Sequence, residues 1–547
     1  MKSALQIARA SYTPKTPNVL RGNVKIIEGK LTQSIANQEE IKTLFPNIYG
    51  LPEITFEKTE KCEFPQMNVG VILSGGQAPG GHNVIAGIFD GLKRLNANNL
   101  LYGFLGGPSG LVEQKYIELT AEIIDEYRNT GGFDIIGSGR TKLEEIEQFE
   151  KGIEICNKLN IKAIVIIGGD DSNTNACILA EYYKAKGCDI QVIGCPKTID
   201  GDLKNDMIET SFGFDTACKV YSELIGNIQR DANSAKKYWH FIRLMGRSAS
   251  HITLECALQT QPNIAIISEE IEAKNMSIDD IVEYIVNVIV NRGNANLNFG
   301  TILIPEGLIE FVPAVKVLIS ELNDLLADND EFNYLISEDE KKHFITDKLS
   351  ENSRKTFTSF PADIAHQLSQ ERDSHGNVQV SLIETEKLLM KLVAKQLKKL
   401  SISGNYKGKF SALGHFFGYE GRCAAPSNFD ADYCYSLGLT ASMLIASGKT
   451  GYMASVSNLA QPAENWIAGG VPITMMFNME KKSGKFKPVI QKALVDLKGK
   501  PFEYFAKNRE KWSGLENNYV YPGPIQYFGP KEVCDMPSKT LMLEKKQ

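Results

Sequence analysis

A pattern repeated over residues 67–203 constrains this 547-residue chain most: apolar runs of strand length, each ending in a loop of glycine with small or acidic residues. MNVGVIL runs into Ser74-Gly75-Gly76-Gln77-Ala78-Pro79-Gly80-Gly81-His82-Asn83, and the segment that follows has helical spacing. IKAIVII runs into Gly168-Gly169-Asp170-Asp171-Ser172-Asn173-Thr174-Asn175, where Ser172 is placed to cap the next helix. CDIQVIGC runs into Pro196-Lys197-Thr198-Ile199-Asp200-Gly201-Asp202. Continuous apolar strands alternating with amphipathic helices predict a parallel sheet covered by helices on both faces. Ligands of such sheets gather where loops leave the C-terminal strand ends, and all three loops fall there.

The length exceeds what one hydrophobic core supports. Residues 1–65, with Pro14, Pro17, Pro46 and Pro52 and little strand pattern, read as an N-terminal extension. Residues 66–205 read as a larger α/β domain, continued by 423–500; residues 206–422 form a smaller α/β domain; and 501–547 are a C-terminal segment. Within the smaller domain, 311–400 are charged and helix-prone, as in AVKVLISELNDLLADND and ETEKLLMKLVAKQLKKL, and read as a helical insertion. A net charge of −6 gives no global basic field, which speaks against nucleic acid as a partner. The apolar stretches are too short to span a bilayer, and the start has no apolar signal core, so the expectation is a cytoplasmic enzyme with no membrane partner. Ten cysteines without a C-x-x-C pair, Cys62 among them, read as reduced and mostly buried thiols.

Glycines in the first loop let backbone approach an anion closely, and the helix start that follows favours phosphate; a tight turn without a ligand is the plain alternative. The spacing is neither G-x-G-x-x-G nor Walker A, so a nicotinamide dehydrogenase fails on it. Asp170 and Asp171 are adjacent carboxylates at a strand end, suited to Mg²⁺ or a polar ligand. Lys197 stands near Asp200 and Asp202, of which one can take a proton from a hydroxyl and the other help hold a metal–phosphate complex; a solvated acidic turn is the alternative. Met245-Gly246-Arg247, Pro305-Glu306-Gly307 and Tyr419-Glu420-Gly421-Arg422 are uninformative singly. Ser447-Gly448-Lys449-Thr450 imitates the end of a Walker A motif, but Met443 stands where its leading glycine belongs, and Gly448 reads as the end of a helix.

Taken in order, these motifs resemble the phosphofructokinase family from about Met67 to about residue 470, interrupted by the insertion. The resemblance implies two Rossmann-like three-layer α/β/α domains with mostly parallel sheets, and a glycolytic phosphotransferase site in the cleft between them. It implies that Asp200 is the base for the 1-hydroxyl of fructose 6-phosphate, that Asp170 and Asp202 hold Mg²⁺, and that Gly76 offers backbone to the donor. Arg140 would face the transferred phosphoryl group. Thr198, Ile199, Asp200, Met245, Gly246, Arg247, Glu306, Tyr419, Glu420, Gly421 and Arg422 would line the sugar-phosphate pocket, with Arg247 and Arg422 suited to the 6-phosphate. Lys237 and Tyr238 resemble a segment that a neighbouring subunit contributes, which implies a homodimer or higher homo-oligomer with shared active sites.

The donor is argued from two positions. ATP-type members have glycine where this chain has Asp171 and Lys197. Asp171 sets bulk and negative charge where the α-phosphate of ATP would sit, and the Lys197 ammonium can reach compact pyrophosphate. Both changes follow the pyrophosphate-type, long-form pattern. An ATP-dependent enzyme and a catalytically silent regulatory subunit are the rivals; the latter is expected to lack Asp170 or Asp200, and both are present.

Overall fold

In the computed structural model, which describes residues 4–60, 64–326, 330–369, 378, 382–482, 485–524 and 535–545, two separate sheets organise the chain. The centre of the larger sheet is parallel: Leu100–Phe104, Asn68–Leu73, Ile161–Gly168, Gln191–Thr198 and Tyr452–Ser457 lie side by side in that order. Its strands are buried on both faces, as their unbroken apolar sequence requires. Val69, Val71, Leu73, Val165 and Ile167 enter one core, while Ile72, Ile164 and Ile166 enter the core on the opposite face, which is the period of two that a pleat imposes.

Residues 1–65 depart from the expected extension. They supply strands Val24–Leu31 and Pro52–Lys58, which extend the large sheet antiparallel beyond Ile467–Pro472. Val24–Leu31 is the edge strand and largely exposed, whereas Pro52–Lys58 lies inside it and buries Ile54 and Phe56 in alternation. Farther upstream, Arg9 donates to Asn428 Oδ1 at 2.7 Å and to Pro426 O at 3.0 Å, fixing the start of helix Asn428–Ala446. That helix packs on Gly81–Leu95, and their backbones touch: a Cβ on Gly438 would lie 2.1 Å from Val84 O. This contact places the segment after residue 423 with the large sheet.

The smaller sheet is wholly parallel, ordered Ile264–Ala265, Gly300–Pro305, Trp239–Leu244, Ala412–Phe417. Helices Pro313–Leu326, Glu351–Ser359 and Thr385–Ile402 of the insertion share a core with Trp239, Phe241, Ile302 and Ile304 of this sheet. A buried ion pair reinforces the joint. Arg243 Nε lies 2.8 Å from Glu386 Oε2, and the guanidinium sits 4.0 Å from the Phe416 ring centroid. The insertion therefore braces the strand that ends in Met245-Gly246-Arg247.

The described cysteines are free thiols, buried apart from Cys188 and Cys423; Cys62 lies outside the described residues. Among the described residues no helix is long and apolar enough to cross a membrane. Gly448, at φ +71°, ends helix Asn428–Ala446 and donates its N–H to Ile445 O at 2.9 Å, so the Walker-like tetrapeptide is a helix stop.

Candidate active site

Three consecutive βα turns converge because their strands are neighbours. Ser172 Oγ donates to Ser74 Oγ at 2.8 Å, joining the first turn to the second. Asn173 Nδ2 donates to Gly168 O at 2.6 Å and Gly169 O at 2.9 Å, and lies 3.3 Å from Cys195 O on the third strand. Ser172 does not cap its helix, as the sequence led us to expect. Helix Asp170–Ala185 begins one turn earlier, behind Gly169, and the hydroxyl serves the neighbouring loop instead. Asp170 and Asp171 thus occupy the first helical turn, where the free N–H groups favour negative charge.

Lys197 closes this arrangement from beneath. Its ammonium lies 3.4 Å from where a Cβ on Gly75 would be and 4.0 Å from the same point on Gly169, so it sits between the two glycine turns. Burial, then the charge of Arg422, push it down to about 8 against the pull of Asp200 and Asp170, with Arg140 adding to the depression. Arg140 arrives by the segment before it: Gly75 donates to Gly139 O at 2.9 Å, and Ser138 Oγ to Gly75 O at 3.0 Å.

The third turn carries the acidic group. Asp200 N–H donates to Thr198 Oγ1 at 3.1 Å, and Gly201 turns the chain at φ +75°. Asp202 is buried, and burial, then Asp200 and Asp170, push its carboxyl up to about 7. Among the described residues no three carboxylate, imidazole or thiol groups are gathered to hold a metal ion by themselves, so a cation here needs further ligands from substrate. Magnesium, which is held through one or two carboxylates and substrate phosphates, fits a donor set of Asp170 and Asp202. Ile199, expected in the sugar pocket, turns its side chain into the core, leaving only backbone for that pocket.

The second sheet brings its loops to the same place. Glu306 is buried and accepts from Gly246 N–H at 3.1 Å; burial, opposed by that hydrogen bond, and the nearby Asp200 charge hold its carboxyl above the usual range. A Cβ on Gly307 would lie 1.9 Å from Arg247 O, so these loops are in contact. Short helix Tyr419–Arg422 delivers Arg422, whose Nε donates to Gln77 O at 2.9 Å and whose Nη1 lies 3.8 Å from Met245 Sδ. Its guanidinium covers Gly76, spanning from the loops of the second sheet to the first glycine turn. Glu420 accepts from Gly418 N–H at 3.0 Å, a Cβ on Gly421 would meet the Tyr221 ring at 2.6 Å, and Tyr419 stands exposed.

Two expected residues lie elsewhere. Lys237 and Tyr238 precede strand Trp239–Leu244, whose far end carries Met245, so about 20 Å of strand separates them from this cluster. One residue was missed by sequence reasoning. Lys492, just after strand Lys485–Ile490, lies 3.7 Å from Asp170 Oδ2 and donates to Ser248 Oγ at 2.6 Å. Burial opposes its charge, yet Asp170 and Asp202 hold the ammonium above its ordinary value. QKALVDL carries no motif that marks it.

Parallel sheets with this convergence of glycine turns, carboxylates and cations define a phosphotransferase architecture, and the phosphofructokinase family model matches residues 68–445. The chain belongs to the phosphofructokinase family. It is 65% identical to pyrophosphate–fructose 6-phosphate 1-phosphotransferase of Porphyromonas gingivalis, over 100% of this chain and 99% of that protein. It is 53% identical to the protein of the same name from Entamoeba histolytica, over 99% of each. A crystal structure of a pyrophosphate-dependent phosphofructokinase from Nitrosospira multiformis shares the fold at TM-score 0.54 and 14% identity, covering 83% of this chain and 96% of that one.

Proposed function

We propose that this chain transfers a phosphoryl group from pyrophosphate to the 1-hydroxyl of fructose 6-phosphate, giving fructose 1,6-bisphosphate and phosphate, reversibly. The observation that carries it is the Lys197 ammonium seated between the turns at Gly75 and Gly169, with Asp171 in the first turn of the helix that follows Gly169. A lysine there completes a cradle for a compact polyanion, and Asp171 opposes the α-phosphate of a nucleotide. The near-full-length relatives carrying that activity in their names support the same donor.

In this mechanism Asp200 accepts the proton of the attacking 1-hydroxyl. Lys197 and Arg140 stabilise charge on the leaving phosphate and the phosphoryl group in transit, and the backbone at Gly76 orients the donor. Asp170 and Asp202 would hold Mg²⁺, which supplies charge neutralisation for the phosphates when bound. Glu306, Arg247 and Arg422 orient the sugar phosphate. Residues 66–205 with 423–500 form the donor half, and 206–422 the sugar half. Lys237 and Tyr238, at the far strand end, complete the sugar pocket of a second copy, which makes the enzyme a homo-oligomer that works in the cytoplasm.

The test is production of fructose 1,6-bisphosphate by the purified chain supplied with pyrophosphate and Mg²⁺. Turnover is expected; sugar-phosphate binding without turnover would assign the chain to the silent subunits.

A further inference from the structure

We infer that Lys492 is a further phosphate-binding residue of this site, a cation that meets the phosphoryl group as it passes between pyrophosphate and the sugar. This rests on the function proposed above. Residues 491–495 form a strap that touches both halves. Ala493 N–H donates to Asp202 O at 2.7 Å on the donor side. On the sugar side, His251 Nε2 donates to Ala493 O at 2.8 Å, and Val495 N–H donates to Glu269 Oε1 at 3.1 Å. Gln491 N–H is held by Met476 O at 2.9 Å. Lys492 is therefore flanked by backbone that is fixed on either side, and its ammonium is positioned before substrate arrives.

The ammonium points into the junction of the two halves. It donates to Ser248 Oγ at 2.6 Å, next to Arg247, and stands 3.7 Å from Asp170 Oδ2, beyond hydrogen-bond range. Of three N–H donors one is used by Ser248, and the side chain keeps 38% exposure, so donors remain for an anion. Asp170 accounts for the charge being tolerated there; it does not use the donors. Catalysis of phosphoryl transfer consists mainly of cations and dipoles placed where charge collects, and a fixed ammonium between Asp170 and the Arg247 loop meets that need. Lys197 lies under the glycine turns, so the two lysines approach the phosphates from different elements.

The experiment compares full-length wild type, Lys492→Met and Lys492→Arg. It measures kcat/KM for pyrophosphate, KM for fructose 6-phosphate, and the rise in unfolding temperature that pyrophosphate and Mg²⁺ cause without sugar. Lys492→Met is expected to lower kcat/KM for pyrophosphate by about 10²-fold, as removal of one donor to a transition-state anion does. KM for fructose 6-phosphate should stay near the wild-type value, the pyrophosphate-induced rise should shrink, and Lys492→Arg should recover part of the loss. Near-wild-type kcat/KM in Lys492→Met would overturn the inference. So would a loss that Lys492→Arg does not recover, with an unchanged pyrophosphate-induced rise. Inactivity of the wild type with pyrophosphate would be the failure of the proposed reaction instead, and an equal pyrophosphate-induced rise in wild type and Lys492→Met would then still overturn the role of Lys492.

Discussion

The proposed donor half of the site is built from turns between Ser74 and Asp202 on adjacent strands of one sheet, whereas the proposed sugar half is gathered from Met245–Arg247, Glu306 and Tyr419–Arg422. In the first case neighbouring parallel strands bring their loops together by topology alone, and the hydrogen bonds from Ser172 and Asn173 only secure what the sheet has already aligned. In the second case alignment depends on contacts between distant segments, including the insertion. The donor half is thus set by local rules and the sugar half by tertiary support.

The largest expected effect lies where the halves meet. Asp200→Asn keeps the turn and removes the proposed base, and kcat should fall by about 10³-fold with substrate KM values little changed, measured by steady-state kinetics. Glu386→Ala tests tertiary support of the sugar half. It removes the buried carboxylate that faces the Arg243 guanidinium, so denaturant unfolding should show a loss of about 3 kcal/mol. KM for fructose 6-phosphate should rise while pyrophosphate-induced stabilisation persists; loss of both would merge the two halves energetically. Lys197→Met tests the donor half by itself: kcat/KM for pyrophosphate should drop about 10²-fold, with binding of fructose 6-phosphate in calorimetry retained.

A pH profile sharpens the same distinction. Because the Lys197 pKa is lowered to about 8, its charge is present below that pH and lost above it. In the free enzyme, kcat/KM for pyrophosphate should therefore fall as pH rises through about 8, and Lys197→Arg should move that limb upward, since guanidinium keeps its proton. The smallest effect is expected outside both halves. Gly448→Ala forces a side chain into left-handed backbone at φ +71° and should cost about 1 kcal/mol of stability without altering kinetics.

The central parallel sheet was legible in the sequence because strands buried on both faces must be apolar throughout, and glycine marks their ends. Strand Val24–Leu31 was not legible, since an edge strand exposed to solvent lacks that run, and in Pro52–Lys58 the alternation that buries Ile54 and Phe56 is too brief to stand out. Ser172 was misread because a serine near a helix start satisfies a capping pattern, and only the neighbouring Ser74 diverts its hydroxyl. Lys492 left no trace because a lone lysine carries no spacing; its position comes from a strap tied to Asp202 and His251. The reach of Arg422 onto Gly76 and Gln77 was not legible, being a product of the short helix that carries it.

Donor choice by Asp171 and Lys197 is tested most directly by kcat/KM for pyrophosphate and for ATP, with fructose 6-phosphate, in wild type and in Asp171→Gly/Lys197→Gly. This donor choice predicts turnover with pyrophosphate and negligible turnover with ATP in the wild type, and a shift of that ratio toward ATP in the double variant. Efficient use of ATP by the wild type, or a ratio unmoved by the double substitution, would contradict it.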